Sequence, residues 1–243
     1  MIKYLRCIIL CLTICCLAPS HGTAESWLYE DGTPSKSAVI LCHGKGGDPE
    51  SYVVDPLRLG LNEQLGYHTV SLQMPGGRKG LPEYEADFPE AFAEINRAVS
   101  FLQKKGVTTI YLIAHSLGSR MATAYLAHTP LPSIKGFVGV GMLNNGEPPF
   151  NCLENLRKST LPVLDIWGKA GRAGDNRYGL ERKVLLSPLY TQVTIKNGDH
   201  ALSEHEDELV EEVIGWLTIQ NKFNVTLQST SSSIIQGLPY SLL

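Results

Sequence analysis

The strongest constraint on the fold is an alternation along the chain. From Ser37 onward, short apolar runs of strand character alternate with amphipathic segments of helical character. This pattern is typical of a parallel sheet that is covered by helices on both faces. The predicted strands span residues 38–42, 67–72, 109–114, 136–141, 162–167 and 190–195. The sequence therefore predicts an α/β fold with a mostly parallel sheet of about six or more strands, flanked by helices.

Two helices have clear signatures. In the first, apolar residues recur every three to four positions over residues 88–102, and Gly106 follows two lysines, as at many helix ends. The second has a similar apolar stripe over residues 209–217. Beyond about Asn221 the sequence is rich in serine and shows no useful helical or strand period, so we predict that regular structure ends there.

The first residues have the composition of a secretory leader. Two cations precede a largely apolar, uncharged run over residues 7–18, and small residues follow up to Ala24. The run is too short to span a bilayer comfortably, which favours cleavage near Ala24 over a retained membrane anchor. We therefore predict a signal peptide over residues 1–24 and export of the protein to the periplasm or the medium.

Length and charge set further limits. The remaining chain has the size of one domain, predicted over residues 25–221, with a flexible tail over residues 222–243. With 21 Lys and Arg against 24 Asp and Glu, and no long run of either sign, nucleic acid is not expected as a partner. A membrane partner is expected only if the leader is retained or lipidated, and the oligomeric state is left open.

Two of the six cysteines, Cys42 and Cys152, lie outside the predicted leader. Two buried, unpaired thiols are the favoured interpretation, although an oxidising compartment would permit a bridge between them. Their spacing matches no metal or redox motif, and no cofactor is expected.

Ser116 lies in the segment IAHSLGSRMATAYLA, between an apolar strand and a helix-like run. A side chain on such a turn needs small neighbours two residues away on each side, and Ala114 and Gly118 provide them. At a helix start the free backbone N–H groups can stabilise an oxyanion, so the position suits a nucleophilic serine. The alternative is that Ser116 only caps the helix.

Two further segments favour the nucleophile. In VILCHGKGG, a strand is followed by His43 and a glycine-rich turn that can approach a reacting carbonyl and donate a backbone N–H from Lys45. The endings of phosphate-binding and dinucleotide-binding glycine loops are absent. His200 follows the last predicted strand, at the carboxyl edge of the sheet, where parallel-sheet proteins bind ligands.

Taken together, these segments resemble the α/β-hydrolase superfamily, and the chain is most similar to exported bacterial members whose substrates are unassigned. The resemblance covers nearly the whole predicted domain and includes HGKGG, IAHSLGSRMATAYLA, LPVLDIWG and GDH…EDELV…GWL. It implies that Ser116 is the nucleophile and His200 the general base. It also implies that the backbone amides of Leu117 and Lys45 form the oxyanion hole.

The acid of a catalytic triad is harder to assign. Members of the superfamily usually carry it a few residues past the glycine that follows the LPVLDIWG strand, and this chain has Gly171 at the matching place. Asp175, in the same loop, is the preferred candidate. Asp165 in the strand and Glu147 in the loop after GFVGVGMLNN are alternatives, and a site without a carboxylate is a further one.

The segment between the fourth and fifth predicted strands is only about twenty residues long, and it is here that many hydrolases of this fold insert a helical cap. We therefore expect no large cap domain and an open cleft for short or medium acyl esters. The prediction is a serine hydrolase of the carboxylesterase type, with an acyl-enzyme on Ser116 that water resolves. A non-catalytic binding module of the cell envelope and an acyltransferase using the same residues are the alternatives.

Overall fold

The apolar runs of the sequence form the centre of one sheet. The computed structural model describes residues 27–76, 80–128, 131–171 and 173–236. The strands are β1 Trp27–Glu30, β2 Ser37–Cys42, β3 His68–Leu72, β4 Thr109–His115, β5 Ile134–Val140, β6 Val163–Gly168 and β7 Tyr190–Ile195. The α-helices are α1 Val54–Leu65, α2 Phe88–Lys104, α3 Ser116–His128, α4 Cys152–Leu156, α5 Ala173–Glu181 and α6 Glu206–Gln236, and 3-10 helices span Leu81–Asp87 and Arg182–Leu185.

The seven strands have the order β1-β3-β2-β4-β5-β6-β7. All neighbouring pairs are parallel except β1 with β3, which are antiparallel. The six predicted strands are confirmed, each with bounds within two residues of the prediction. β1 was not predicted, because four residues are too few to show a period.

The central strands are buried on both faces, which explains why their sequences are apolar without interruption. In β2, Ile40 belongs to one apolar cluster, and its neighbours Val39 and Leu41 belong to a second cluster on the opposite face. Residues of α2 and α3 complete the first cluster, and residues of α1 and α6 complete the second. The molecule is therefore a three-layer α/β fold, as predicted.

The last helix is longer than the sequence indicated. α6 continues to Gln236, beyond Asn221, where we expected regular structure to end. The serine-rich composition suggested a tail, yet no glycine or proline interrupts the chain between Gly215 and Gly237, so nothing in the sequence stops the helix. The expectation of no regular structure after Asn221 was therefore wrong up to Gln236. The remainder of the tail and the predicted leader lie outside the described residues.

In the part of the chain that the structure describes, no large cap covers the sheet. The described chain between β5 and β6 contains loops and only the five-residue helix α4. Within the residues that the structure describes, no helix has the length and apolar character that a bilayer-spanning segment requires. Cys42 and Cys152 are both buried and unpaired, as the sequence favoured.

Candidate active site

Ser116 lies at a sharp junction between β4 and α3. β4 ends at His115 and α3 begins at Ser116, with no loop between them. The backbone of Ser116 has φ = 51°, in the left-handed region that residues with side chains rarely adopt. A strand-to-helix turn of this kind projects its central side chain away from the sheet edge.

The small residues around Ser116 are required by close packing. A Cβ atom at Gly118 would collide with the carbonyl oxygens of Cys42 and His43 at the end of β2. Ala114 lies beside Cys42 in the register of the sheet. The chain therefore passes so close to the end of β2 that a side chain at position 118 would displace the turn that carries Ser116.

The structure brings Ser116, His200 and Asp175 together. The Oγ atom of Ser116 is 2.9 Å from Nε2 of His200, and Nδ1 of His200 is 3.0 Å and 3.1 Å from the two carboxylate oxygens of Asp175. Because an ionised carboxylate only accepts hydrogen bonds, the Nδ1 atom carries the imidazole proton and Nε2 is free to accept the serine proton. This is the geometry that a nucleophile, a base and an orienting acid require.

Asp175 reaches the histidine from the first turn of α5 and is only 2% exposed. Gly171 is what makes room for it. A Cβ atom at position 171 would lie 2.5 Å from Oδ2 of Asp175 and 3.1 Å from the backbone nitrogen of His200. Members of the superfamily usually carry a carboxylate at the place of Gly171. In this chain the glycine leaves that space free, and the carboxylate of Asp175 enters it from α5.

The two alternative acids lie elsewhere. Glu147 is exposed in the loop after β5. Asp165 is fully buried in β6, where Arg182 donates two hydrogen bonds to its carboxylate, at 2.8 Å and 2.9 Å. Tyr190 and Gln192 of β7 donate to the same carboxylate. Asp165 is thus occupied by a buried ion-pair network that the sequence did not reveal.

Leu117 and Lys45, whose backbone amides the resemblance assigns to an oxyanion hole, both line the cleft that contains Ser116. Leu117 is the second residue of α3, so its N–H belongs to the first turn, in which amides have no partner within the helix. Lys45 follows the end of β2.

His43 fixes the loop that carries Lys45. Its Nδ1 atom is 2.8 Å from the carbonyl of Gly44, and its Nε2 atom accepts a hydrogen bond of 2.9 Å from the backbone N–H of Met74. Since Nε2 accepts, Nδ1 carries the proton and the ring is neutral. Burial lowers the pKa of His43 below its ordinary value, which favours this neutral form.

His115 has a role that the sequence analysis missed. Its Nε2 atom is 3.0 Å from the backbone carbonyl of His200, and the two imidazole rings lie 5.1 Å apart. A Cβ atom at Gly44 would approach Nδ1 of His115 to 2.8 Å, so the glycine-rich loop also packs on this ring. One side chain, adjacent to Ser116, therefore contacts both the loop of His200 and the glycine-rich loop that carries Lys45. The only sequence signal for it was its place next to Ser116.

Ser116, His200 and Asp175 line a cleft of about 820 Å³. Tyr84 and Tyr178 are buried in its walls, and Tyr52 is exposed on it. Arg120, one helical turn after Ser116, donates hydrogen bonds to the carbonyls of Asn145 and Phe150 and so holds one wall in place. Among the described residues there is no cluster of side chains suited to hold a metal ion.

Solved structures share this architecture. Est1E from Butyrivibrio proteoclasticus with ferulic acid bound has a TM-score of 0.66 and 20% identity, over 81% of this chain and 95% of that one. Dienelactone hydrolase from Anabaena variabilis has a TM-score of 0.63 and 16% identity, over 79% and 90%. A serine hydrolase without lid from Xanthomonas campestris has a TM-score of 0.56 and 19% identity, over 78% and 88%.

At these identities the likeness establishes the fold, which is that of the α/β-hydrolase superfamily. Among curated proteins, none matches the chain significantly. A family model described as "Protein of unknown function (DUF3530)" matches residues 82–219, a span that includes Ser116, Asp175 and His200. By this match, the chain belongs to the DUF3530 family, with an α/β-hydrolase fold.

Proposed function

We propose that this protein is a serine hydrolase of the carboxylesterase type. The observation that carries the proposal is the continuous hydrogen-bonded chain from Ser116 Oγ through the imidazole of His200 to Asp175. A serine hydroxyl is a weak nucleophile until a base takes its proton, and this arrangement supplies that base in the correct orientation.

The geometry supports a two-step reaction. In the first step, Nε2 of His200 takes the proton of Ser116 as Oγ attacks the acyl carbon, and the imidazolium then protonates the departing alcohol. In the second step, His200 takes a proton from water, which attacks the acyl carbon, and the imidazolium then returns that proton to Oγ of Ser116 as the acid departs. In both steps the amides of Leu117 and Lys45 stabilise the negative oxygen, and Asp175 stabilises the imidazolium.

The shape of the cleft supports short or medium acyl esters as substrates. No cap encloses the cleft between β5 and β6, so a long acyl chain would lack an apolar tunnel. The aromatic walls formed by Tyr84 and Tyr178 can pack against an apolar acyl or alcohol group. The proposal includes export from the cytoplasm, which is supported by the leader-like residues 1–24.

The test is turnover of 4-nitrophenyl butyrate by the purified protein. A serine hydrolase is expected to show a burst of nitrophenol followed by steady turnover, and Ser116→Ala should abolish both. Ser119→Ala is the matched control, because this serine lies in the same helix and its hydroxyl donates to the carbonyl of Ala114 instead of to His200. Equal rates for wild type and Ser116→Ala would overturn the proposal, and turnover no faster than the uncatalysed background in both would favour the non-catalytic binding module.

An acyltransferase would use the same residues, so the test must also separate the two. Adding short alcohols or amines at millimolar concentration should leave the yield of free acid unchanged if water resolves the acyl-enzyme. Diversion of the acyl group to the added acceptor in preference to water would identify a transferase.

A further inference from the structure

The structure gathers three exposed lysines around a second groove, of about 700 Å³. Lys169 directly follows β6, Lys196 directly follows β7, and Lys183 lies in the 3-10 helix between these strands. In the described part of the chain, no ion pair involves any of the three. Because they are scattered in the sequence, composition alone gave no sign of a local cationic surface.

Apolar side chains are exposed at the same place. Leu180 and Leu186 line the groove beside the lysines, at 57% and 53% exposure. Val184 and Leu189, in the same stretch of chain, are 66% and 51% exposed. Four of the seven exposed large hydrophobic residues of the described chain therefore lie within ten consecutive positions. Exposed apolar side chains concentrated in this way indicate an interaction surface.

The positive charge of this surface is not neutralised locally. Glu181, the acidic residue nearest to Lys183 along the chain, accepts a hydrogen bond from Asn144 and lies 3.6 Å from Arg177. Asp199, three positions after Lys196, accepts hydrogen bonds from the backbone N–H groups of Ala201 and Ser203. The buried Asp165 pairs with Arg182 and does not reach the surface. The protein has a net charge of −3, so the groove is a cationic region on an acidic molecule.

We propose that this face, formed by Lys169, Lys183, Lys196, Leu180 and Leu186, docks on the surface of a bilayer that contains anionic phospholipid. Lysines attract the negative headgroups, and leucine tips between them can enter the boundary between headgroups and acyl chains. A small soluble anion would leave those leucines in water, whereas a bilayer covers both kinds of side chain. The attraction should weaken as ionic strength rises.

The groove and the cleft that contains Ser116 share the helix α5. Asp175 and Tyr178 of α5 line the cleft that contains Ser116, and Asn176 and Leu180 of the same helix line the groove. The two depressions therefore lie on opposite sides of α5. The docking proposal itself does not depend on the chemistry of Ser116.

The test is sedimentation with vesicles of phosphatidylcholine alone and of phosphatidylcholine with about one third phosphatidylglycerol. Every variant is expressed from the full-length chain, so that all share the same N-terminus. At low salt we expect binding to the phosphatidylglycerol vesicles, little binding to the neutral ones, and loss of binding as salt is raised. Each lysine should raise the partition coefficient of the protein onto the anionic vesicles about fivefold. We therefore expect about a hundredfold weaker binding from the triple variant Lys169→Gln, Lys183→Gln, Lys196→Gln.

A second triple variant, Lys36→Gln, Lys104→Gln, Lys158→Gln, is the matched control. It removes the same charge from exposed positions that precede β2, β4 and β6, at the opposite edge of the sheet, and should bind almost as well as wild type. Leu180→Ser with Leu186→Ser should also weaken binding to the phosphatidylglycerol vesicles.

Three results would overturn the proposal. The first is equal binding to neutral and anionic vesicles, and the second is equal loss of binding in the two lysine triples. The third is a wild-type dimer in light scattering that the leucine variant makes monomeric, because the face would then join two copies of the chain. Unchanged hydrolysis of a soluble ester or an unchanged circular dichroism spectrum would show that each variant is folded.

Discussion

At the scale of single residues, the site depends on how one imidazole is held. His200 contacts Ser116 through Nε2, Asp175 through Nδ1, and His115 through its backbone carbonyl. The first contact provides the base, the second fixes the tautomer, and the third fixes the position of the loop. Each contact predicts a different kinetic effect when it is removed.

Asp175→Asn should lower kcat for ester hydrolysis by about ten-thousand-fold, because an amide no longer holds the proton on Nδ1. The measurement is steady-state turnover of a chromogenic ester. Asp48→Asn is the control, since Asp48 also lines the cleft but bonds Ser51 instead of His200. Activity of Asp175→Asn within tenfold of wild type would mean that the enzyme works without this carboxylate.

His115 is expected to act as a positioning residue. His115→Leu removes the donor to the His200 carbonyl and should lower kcat by about ten- to a hundredfold with little change in KM, because a small displacement of the base slows proton transfer. His115→Gln places an amide N–H where Nε2 was and should restore most of the activity. Equal losses in the two variants would show that the ring only fills space.

At the scale of the elements, the site depends on where α5 begins. Its segment AGDNRYGLE contains two glycines and no apolar stripe, so its sequence does not favour a helix. Tertiary contacts form it instead. Asn176 accepts a hydrogen bond from the indole of Trp167 and donates one to the carbonyl of Lys169, and Gly179 lies against the same indole. Asp175 is carried to His200 by this packing.

Gly171→Ala should impair catalysis without removing any functional group. The new methyl group would occupy the space of the Asp175 carboxylate, so that side chain must move away from His200. We expect kcat to fall about a hundredfold, as for other misplacements of this size. Gly215→Ala is the matched control, because a Cβ atom there meets nothing within 4 Å. Full activity of Gly171→Ala would contradict the assignment of Asp175.

The elements also show what the sequence could predict. Buried strands have strong apolar runs, so six of the seven strands were predicted. The turn at Ser116 was also predicted, because its small neighbours can be recognised from the sequence alone. β1 was not predicted because it is too short to show a period, and α5 was not predicted because it forms through packing against Trp167 and Lys169. For the same reason Asp175 could only be ranked above Asp165 and Glu147, and the role of Gly171 is explained only by the packing of α5.

At the scale of the whole molecule, the ion pair of Asp165 and Arg182 joins the edge of the sheet to the chain around it. Both side chains are fully buried. Arg182 also donates to the carbonyl of Met142 after β5, and Tyr190 donates to Asp165 from β7. The network therefore links the segments after β5 with β6 and β7, which together carry the loops of Asp175 and His200.

Asp165→Asn should lower the free energy of unfolding by about 3–5 kcal/mol, because it leaves a buried guanidinium without its counter-charge. Urea unfolding followed by fluorescence measures this change. The folded fraction should keep the wild-type kcat, in contrast to Asp175→Asn. A large loss of kcat without loss of stability would instead make Asp165 the functional acid.

The central claim is that folding makes Ser116 a nucleophile, and covalent labelling tests it most directly. The purified protein is treated with a fluorophosphonate, and the intact mass and peptide masses are measured. We expect one adduct per chain, located on Ser116, absent from Ser116→Ala and formed much more slowly in His200→Gln. No adduct, or an adduct on another residue that persists in Ser116→Ala, would contradict the account.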